Sequence, residues 1–208
     1  MLPEPLCTTV GRPLIFNQVV AALGRYSLVT VTEGGLTLHR LVQTVVRDRL
    51  SVTGQQTWGG AALQLVSSAF PVPSDEVATW PACARLLPHG LVVANHAQAL
   101  DIEAETAAWL LNEAAEYLRS RGQYQQARRV HEQALAARRR VLGDHPDTAQ
   151  SLNNLALVLR AQGDLAGART LHERALAIRE ARLGPDHPAT EESRRELVAV
   201  VTALEHRS

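Results

Sequence analysis

The chain has 208 residues, 46% of them apolar, and its 21 basic residues balance 21 acidic ones to a formal charge of zero. That apolar share supports a packed core and excludes a disordered chain, while the balanced charge leaves no global field to draw it to nucleic acid or an anionic membrane. Every basic residue is arginine and none is lysine, which reads as the codon bias of a GC-rich genome and excludes a phosphate-binding GxxxxGK[ST] loop at its lysine. Cys7 and Cys83 fit no metal or redox spacing, so the expectation is a reducing compartment. There is neither a signal-peptide pattern at the start nor a run of about 18 apolar residues, and the predicted location is the cytoplasm.

In chain order, residues 1–13 read as an irregular, proline-containing lead-in. Leu14, Ile15, Val19, Val20 and Leu23 predict a short amphipathic helix closed by Gly24. The β-branched run from Tyr26 to Val31, then Glu33-Gly34-Gly35 and Leu36 to Leu38, predicts a hairpin. A helix follows from about His39 to Leu50, with Leu41, Val42, Val45, Val46 and Leu50 as its buried stripe. Residues 51–58 are polar and read as a linker. Ala61, Ala62, Leu65, Val66 and Ala69 then form one helical stripe, broken at Phe70-Pro71-Val72-Pro73. Ser74-Asp75-Glu76 offers capping chemistry for a helix through Trp80, Cys83, Leu86 and Leu87. Pro88 is expected to interrupt it before a further helix from Leu91 to Ala99. Cys83, His89 and His96 lack tight ligand spacing, which favours packing over a metal site.

From Gly122 the sequence GQYQQARRVHEQALAARRRVLG is echoed 41 residues later by GDLAGARTLHERALAIREARLG. A period near 40 means stacked units, and the three-and-four spacing of Leu152, Leu155, Ala156 and Leu159 makes each unit a helix pair. Gly122 and Gly163 fall at the turns, while Ala127, Ala134, Ala168 and Ala175 are small enough for close helix approach. The pattern resembles a tetratricopeptide repeat (TPR). GDHPDTAQSLNNLALVLRAQGDLAGARTLHERALAIREARLGPDHPAT looks like the variety found in kinesin light chains and in many bacterial signalling proteins. The final helix, about Ala189 to His206, is expected to bury Leu197, Val198, Val201 and Leu204 and to cap the stack.

A second resemblance lies upstream. ALGRYSLVTVTEGGLTLHRLVQTVVRDRL is similar to the winged-helix segment that follows the NB-ARC ATPase core in bacterial STAND proteins, where TPRs often come last. By that resemblance His39 stands at a hydrophobic-His motif and would reach the phosphates of ADP, but only where an ATPase core supplies the nucleotide; Arg40 departs from the Asp of plant and animal relatives. The structural alternative is that His39 starts a helix beside the hairpin. The chain itself is expected to hold no cofactor, and ATP or ADP would belong to a core outside it. Its start inside the winged helix suggests a C-terminal fragment, a split gene or a decayed copy of a longer STAND protein.

The expected architecture is mainly α: a right-handed TPR-type solenoid preceded by a partial winged-helix unit with a small β-hairpin. Its boundaries are 1–54 for the winged-helix segment and 55–208 for the solenoid. The solenoid divides into a degenerate repeat at 57–99, repeats at 104–143 and 146–184, and a capping helix at 188–206. By resemblance the first helix of each pair lines a concave groove. Asn112 and Asn153 then occupy one groove position and Arg119 and Arg160 another, with Asn154 as a third candidate. Amides that pair a partner's backbone and guanidiniums that fork onto carboxylates suit a peptide or protein ligand; the alternative is solvation or bonding to neighbouring helices. His131 and His172 recur at a packing position. His145 and His187 recur in Asp-His-Pro at unit boundaries, where proline starts a helix.

These features predict a non-enzymatic protein–protein interaction module, the sensor arm of a STAND-type regulator. DNA binding through the winged helix is the alternative, weakened by only five Arg against three acids in residues 1–50. No nucleophile, base and orienting acid come together in sequence, and neither a metal site nor a membrane partner is predicted.

Overall fold

The computed structural model describes residues 12–32 and 35–206. The expected lead-in therefore lies outside the described residues except for Arg12 and Pro13, as do Cys7 and the Glu33-Gly34 pair. The chain separates into two compact units, Met1–Ala62 and Leu63–Ser208.

In the first unit, α1 (Pro13–Arg25) opens on a proline whose fixed φ suits a first helical turn. Strand β1 (Val29–Thr32) pairs antiparallel with β2 (Gly35–Leu38), with Val29 opposite Leu38 and Thr32 opposite Gly35. Helix α2 (Arg40–Arg49) follows directly, and α3 (Val52–Ala69) begins two residues after Leu50. Two sequence expectations fail here. The supposed linker at 51–58 is helical: the Gly54 N–H donates to Ser51 Oγ at 3.1 Å and the Thr57 hydroxyl to the Thr53 carbonyl at 2.8 Å, so its polar side chains support the helix instead of breaking it. The apolar stripe of α2 is not buried either, with Val46 54% exposed and Leu41 and Val45 similarly open. A stripe marks the side a helix can bury, but burial needs a covering layer, and Val29 is the buried apolar side chain among the described residues of this unit.

The second unit is a stack in which each helix packs on the next: α4 (Trp80–Ala99), α5 (Ala104–Ser120), α6 (Tyr124–Leu142), α7 (Pro146–Ala161), α8 (Leu165–Leu183) and α9 (Pro188–Glu205). Leu110, Leu111, Ala114 and Leu118 of α5 meet Ala127, Val130 and Ala134 of α6 in the largest core cluster. The theme recurs where Leu152 and Leu155 of α7 meet Ala175 and Ile178 of α8, and where Leu159 and Ala168 meet Val200 of α9. Gly122 and Gly163 take φ of +72° and +85° at the α5–α6 and α7–α8 turns, a left-handed conformation that penalises any side chain.

Several local expectations need correction. The end of α3 buries Leu63 and, just past it, Phe70, while Leu65 stays open; two large side chains seven residues apart outweigh a line of alanines. Helix α4 runs unbroken through Pro88. Pro88 and Ala84, whose carbonyl loses its usual donor, are both exposed, so water can take the freed acceptor. Ser74 caps no helix, donating instead to Glu113 Oε2 at 3.0 Å. In α9 the fully buried residues are Thr190, Ser193 and Val200, and Val198 faces solvent.

Gly90 lies inside α4, and a Cβ there would meet Leu110 at 3.6 Å, an ordinary contact. Gly90→Ala is expected to stabilise the fold by about 0.5–1 kcal/mol through helix entropy. Leu110→Ala, at a fully buried position, is expected to cost about 2–5 kcal/mol. Thermal melts check both; a drop for Gly90→Ala would mean that α4 and α5 approach more closely than described.

Candidate interaction surface and its polar ties

The repeat period places arginines at equivalent points of α6 and α8, and each clamps the start of the following helix. Arg138 Nη1 donates to the Asp147 carbonyl at 2.9 Å and to Ser151 Oγ at 2.8 Å. Arg179 Nη1, 41 residues on, donates to the Ala189 carbonyl at 2.7 Å and to Ser193 Oγ at 2.9 Å. Arg179 is 2% exposed and bonds in addition to Glu192 Oε2 and Gln150 Oε1. The exposed Glu192 supplies its charge partner at 3.2 Å.

Asparagines continue these clamps across the stack. Asn153 Nδ2 donates to Ser193 Oγ at 2.8 Å, and its Oδ1 meets His172 Nδ1 at 3.0 Å, which assigns the imidazole proton to Nδ1. Asn154 Nδ2 donates to Asn112 Oδ1 at 2.8 Å, joining α7 to α5, while Asn154 Oδ1 accepts from Gln150 Nε2 at 2.8 Å. Asn112, Asn153 and Asn154 are all buried. Glu113, bonded by Ser74 and reached by Asn112 Nδ2 at 3.4 Å, ends the chain of contacts. Burial raises the Glu113 carboxyl above its ordinary value, more than its hydrogen bonds lower it.

The arginines expected at the groove are partly exposed and each sits on a glutamate. Arg119 forks onto Glu116 Oε2 at 2.7 and 2.9 Å, and Arg160 Nη1 reaches Glu196 Oε2 at 2.8 Å, bridging α7 to α9. Buried His131 lies 3.2 Å from Glu116 Oε1. Burial alone would raise the Glu116 carboxyl, but the neighbouring His131 imidazole and the Arg119 guanidinium prevail and hold it below the usual value. His172 is pushed down, chiefly by burial.

Three other histidines share one task. His39, His145 and His187 precede α2, α7 and α9, and each Nδ1 accepts the N–H two residues on, from Leu41 at 3.3 Å, Asp147 at 3.2 Å and Ala189 at 3.1 Å. The histidine of each Asp-His-Pro is thus the cap, and His39 caps in the same way. His89 and His96 are exposed while Cys83 is buried. No group of three or more His, Cys, Asp or Glu able to hold a metal occurs among the described residues.

The structure therefore brings Asn112, Asn153 and Asn154 into one buried network, keeps Arg119 and Arg160 at its margin, and leaves His39 in the other unit. Sequence reasoning missed Arg138 and Arg179. Their signal was available: they recur at the same 41-residue offset as the two glycines, and Ser151 and Ser193 recur beyond them at an offset of 42.

The C-terminal helix pairs form a tetratricopeptide-repeat solenoid. A tetratricopeptide-repeat family model matches residues 105–181 and again 150–207, and the repeats resemble those of kinesin light chains. The crystal structure of BtubC (BKLC) from P. vanneervenii aligns with a TM-score of 0.58 at 20% identity, over 80% of this chain and 66% of that one. A Podosopora anserina protein described as a kinesin light chain with nearly identical TPR-like repeats aligns with a TM-score of 0.51 at 21% identity, over 93% and 77%. In sequence, a nucleotide-binding leucine-rich repeat (NLR)-like protein of Hyaloscypha variabilis is 32% identical over 139 residues, 65% of this chain but only 14% of that protein. Tetratricopeptide repeats in general bind proteins or peptides, and the fold is typically a non-enzymatic scaffold. No helix among the described residues is long and apolar enough to cross a membrane.

His172 and Glu116 both make the stack sensitive to acid. His172 lies below its ordinary 6.5 in the fold, so the unfolded chain takes its proton first and stability falls as pH drops below that value. Glu116 lies below its ordinary 4.5, and its contribution is lost as pH falls through that lower range. Melting temperature is expected to decline in two steps on acidification, and His172→Gln is expected to remove the upper step alone. An unchanged upper step in that variant would assign it to another group.

Proposed function

We propose that the chain is a non-enzymatic protein–protein interaction module, the sensor and regulatory arm of a STAND-type NTPase signalling protein. The observation that carries this reading is the tetratricopeptide match over the C-terminal helix pairs. The similarity to an NLR-like protein, confined to a small part of that longer protein, supports the signalling context.

In this reading the helix, hairpin and helix from Pro13 to Arg49 form the winged-helix segment. An NB-ARC core outside the chain holds ATP or ADP, since the sequence here has no lysine for a phosphate loop. A peptide or protein binds the face built from α5, α7 and α9. Asn112, Asn153 and Asn154 hold that wall rigid from within, and the partly exposed Arg119 and Arg160 are the side chains that re-pair with a partner's carboxylates. A partner that prefers one arrangement of the repeats would bias the nucleotide state of the core, with His39 as the contact to it.

The Arg119→Ala, Arg160→Ala double variant loses two partly exposed ion pairs, each worth at most about 1 kcal/mol, so it is expected to stay folded. A pulldown should show it losing a partner that the parent retains, with the circular-dichroism melt nearly unchanged. Retention of every partner would remove this face from the proposal.

A further inference from the structure

A groove of ≈ 400 Å³ lies between α4 and α6, on the side of the stack formed by the second helices of the pairs. Its apolar lining comes from Leu87 and Leu91 of α4, Leu118 of α5 and Val130 of α6. The volume falls in the lower part of the ~300–1,000 Å³ range of ligand clefts.

The polar residues of the groove are uncommitted. Asn95, Gln126 and Gln133 carry side-chain amides and Arg129 a guanidinium, and none of the four makes a side-chain hydrogen bond or ion pair within the described residues. On the opposite side the buried amides of Asn112, Asn153 and Asn154 are engaged. On α6, Arg128 is engaged by Glu132 and Arg140 by Asp101, while Arg139, outside the groove, is exposed like Arg129. The charge of Arg129 is therefore the uncompensated one in the groove. A second hollow, beside Arg174 and Arg182, contains Asp144, which lies 3.8 Å from Arg174 and already answers its charge. Nor does the groove follow from the repeat: 41 residues on, Gln126, Arg129 and Gln133 become Gly167, Thr170 and Arg174.

We infer that this groove is a second interaction surface, separate from the α5–α7–α9 face, and that its occupant is an extended peptide segment with an apolar side chain flanked by a carboxylate. The apolar side chain sits against Leu87, Leu91 and Val130. The carboxylate forks onto Arg129, whose planar donors match it. Amides that both donate and accept pair with the peptide backbone, which an extended segment leaves open.

The test uses two fluorescein-labelled peptides of equal length, one alternating Leu with Glu and the other Leu with Lys, titrated into the full chain by anisotropy. The Leu–Glu peptide is expected to bind at least tenfold more tightly. Arg129→Glu, at an exposed site, should reverse that preference, and Gln133→Trp, which fills the groove, should remove binding of both peptides. The Arg119→Ala, Arg160→Ala variant should bind as the parent does. No preference for the acidic peptide, no binding at all, or an unchanged preference in Arg129→Glu would overturn the inference. If the double variant alone loses binding, the peptide sits on the α5–α7–α9 face, and the second surface falls while the proposed module stands.

Discussion

The guanidinium of Arg179 stands where three helices meet, and the end of the stack depends on it. From α8 it holds the first turn of α9 through the Ala189 carbonyl and Ser193, and reaches Gln150 on α7. A charge 2% exposed carries a desolvation penalty of several kcal/mol. That penalty is offset by the bonds that Nη1 and Nη2 make and by the counter-charge of Glu192, while Nε has no partner among the described residues. A lysine could offer neither the fork nor the span. The absence of lysine from the chain reads as codon bias on the surface, but at Arg138 and Arg179 the identity of the cation has a structural cause.

The same ties explain why residues of binding type are buried. Asn112, Asn153 and Asn154 have the chemistry of peptide readers, yet each amide is committed to another helix. A buried amide left unpaired would cost about 1–3 kcal/mol, so these pairings fix the register between helices as well as adding stability. In the proposed function, binding falls to what the network leaves at its edges, namely the arginines held by Glu116 and Glu196 and, across the stack, the unpaired groups around Arg129.

The parts of this fold legible in sequence are those set by period and by backbone. Gly122 and Gly163 marked the turns because their φ is left-handed, and Ala127, Ala134, Ala168 and Ala175 marked helix contacts where they are fully buried. What stayed hidden depends on the direction of a side chain. The polar run at 51–58 reads as a linker until Ser51 and Thr57 are seen bonding along the helix. Pro88 reads as a break until its exposed side is known. Asn153 and Asn154, adjacent in sequence, point to different helices, and only the structure separates a reader from a tie. Arg138 and Arg179 were legible in principle, since they repeat, but arginine on a helix normally denotes a solvated face.

The central claim is that buried polar ties make the last helix pairs one cooperative unit. Amide hydrogen exchange on the Arg179→Met variant tests it most directly. The account predicts that protection falls together in α7, α8 and α9, which meet at that guanidinium. Loss confined to α9, with α7 and α8 as protected as in the parent, would contradict it.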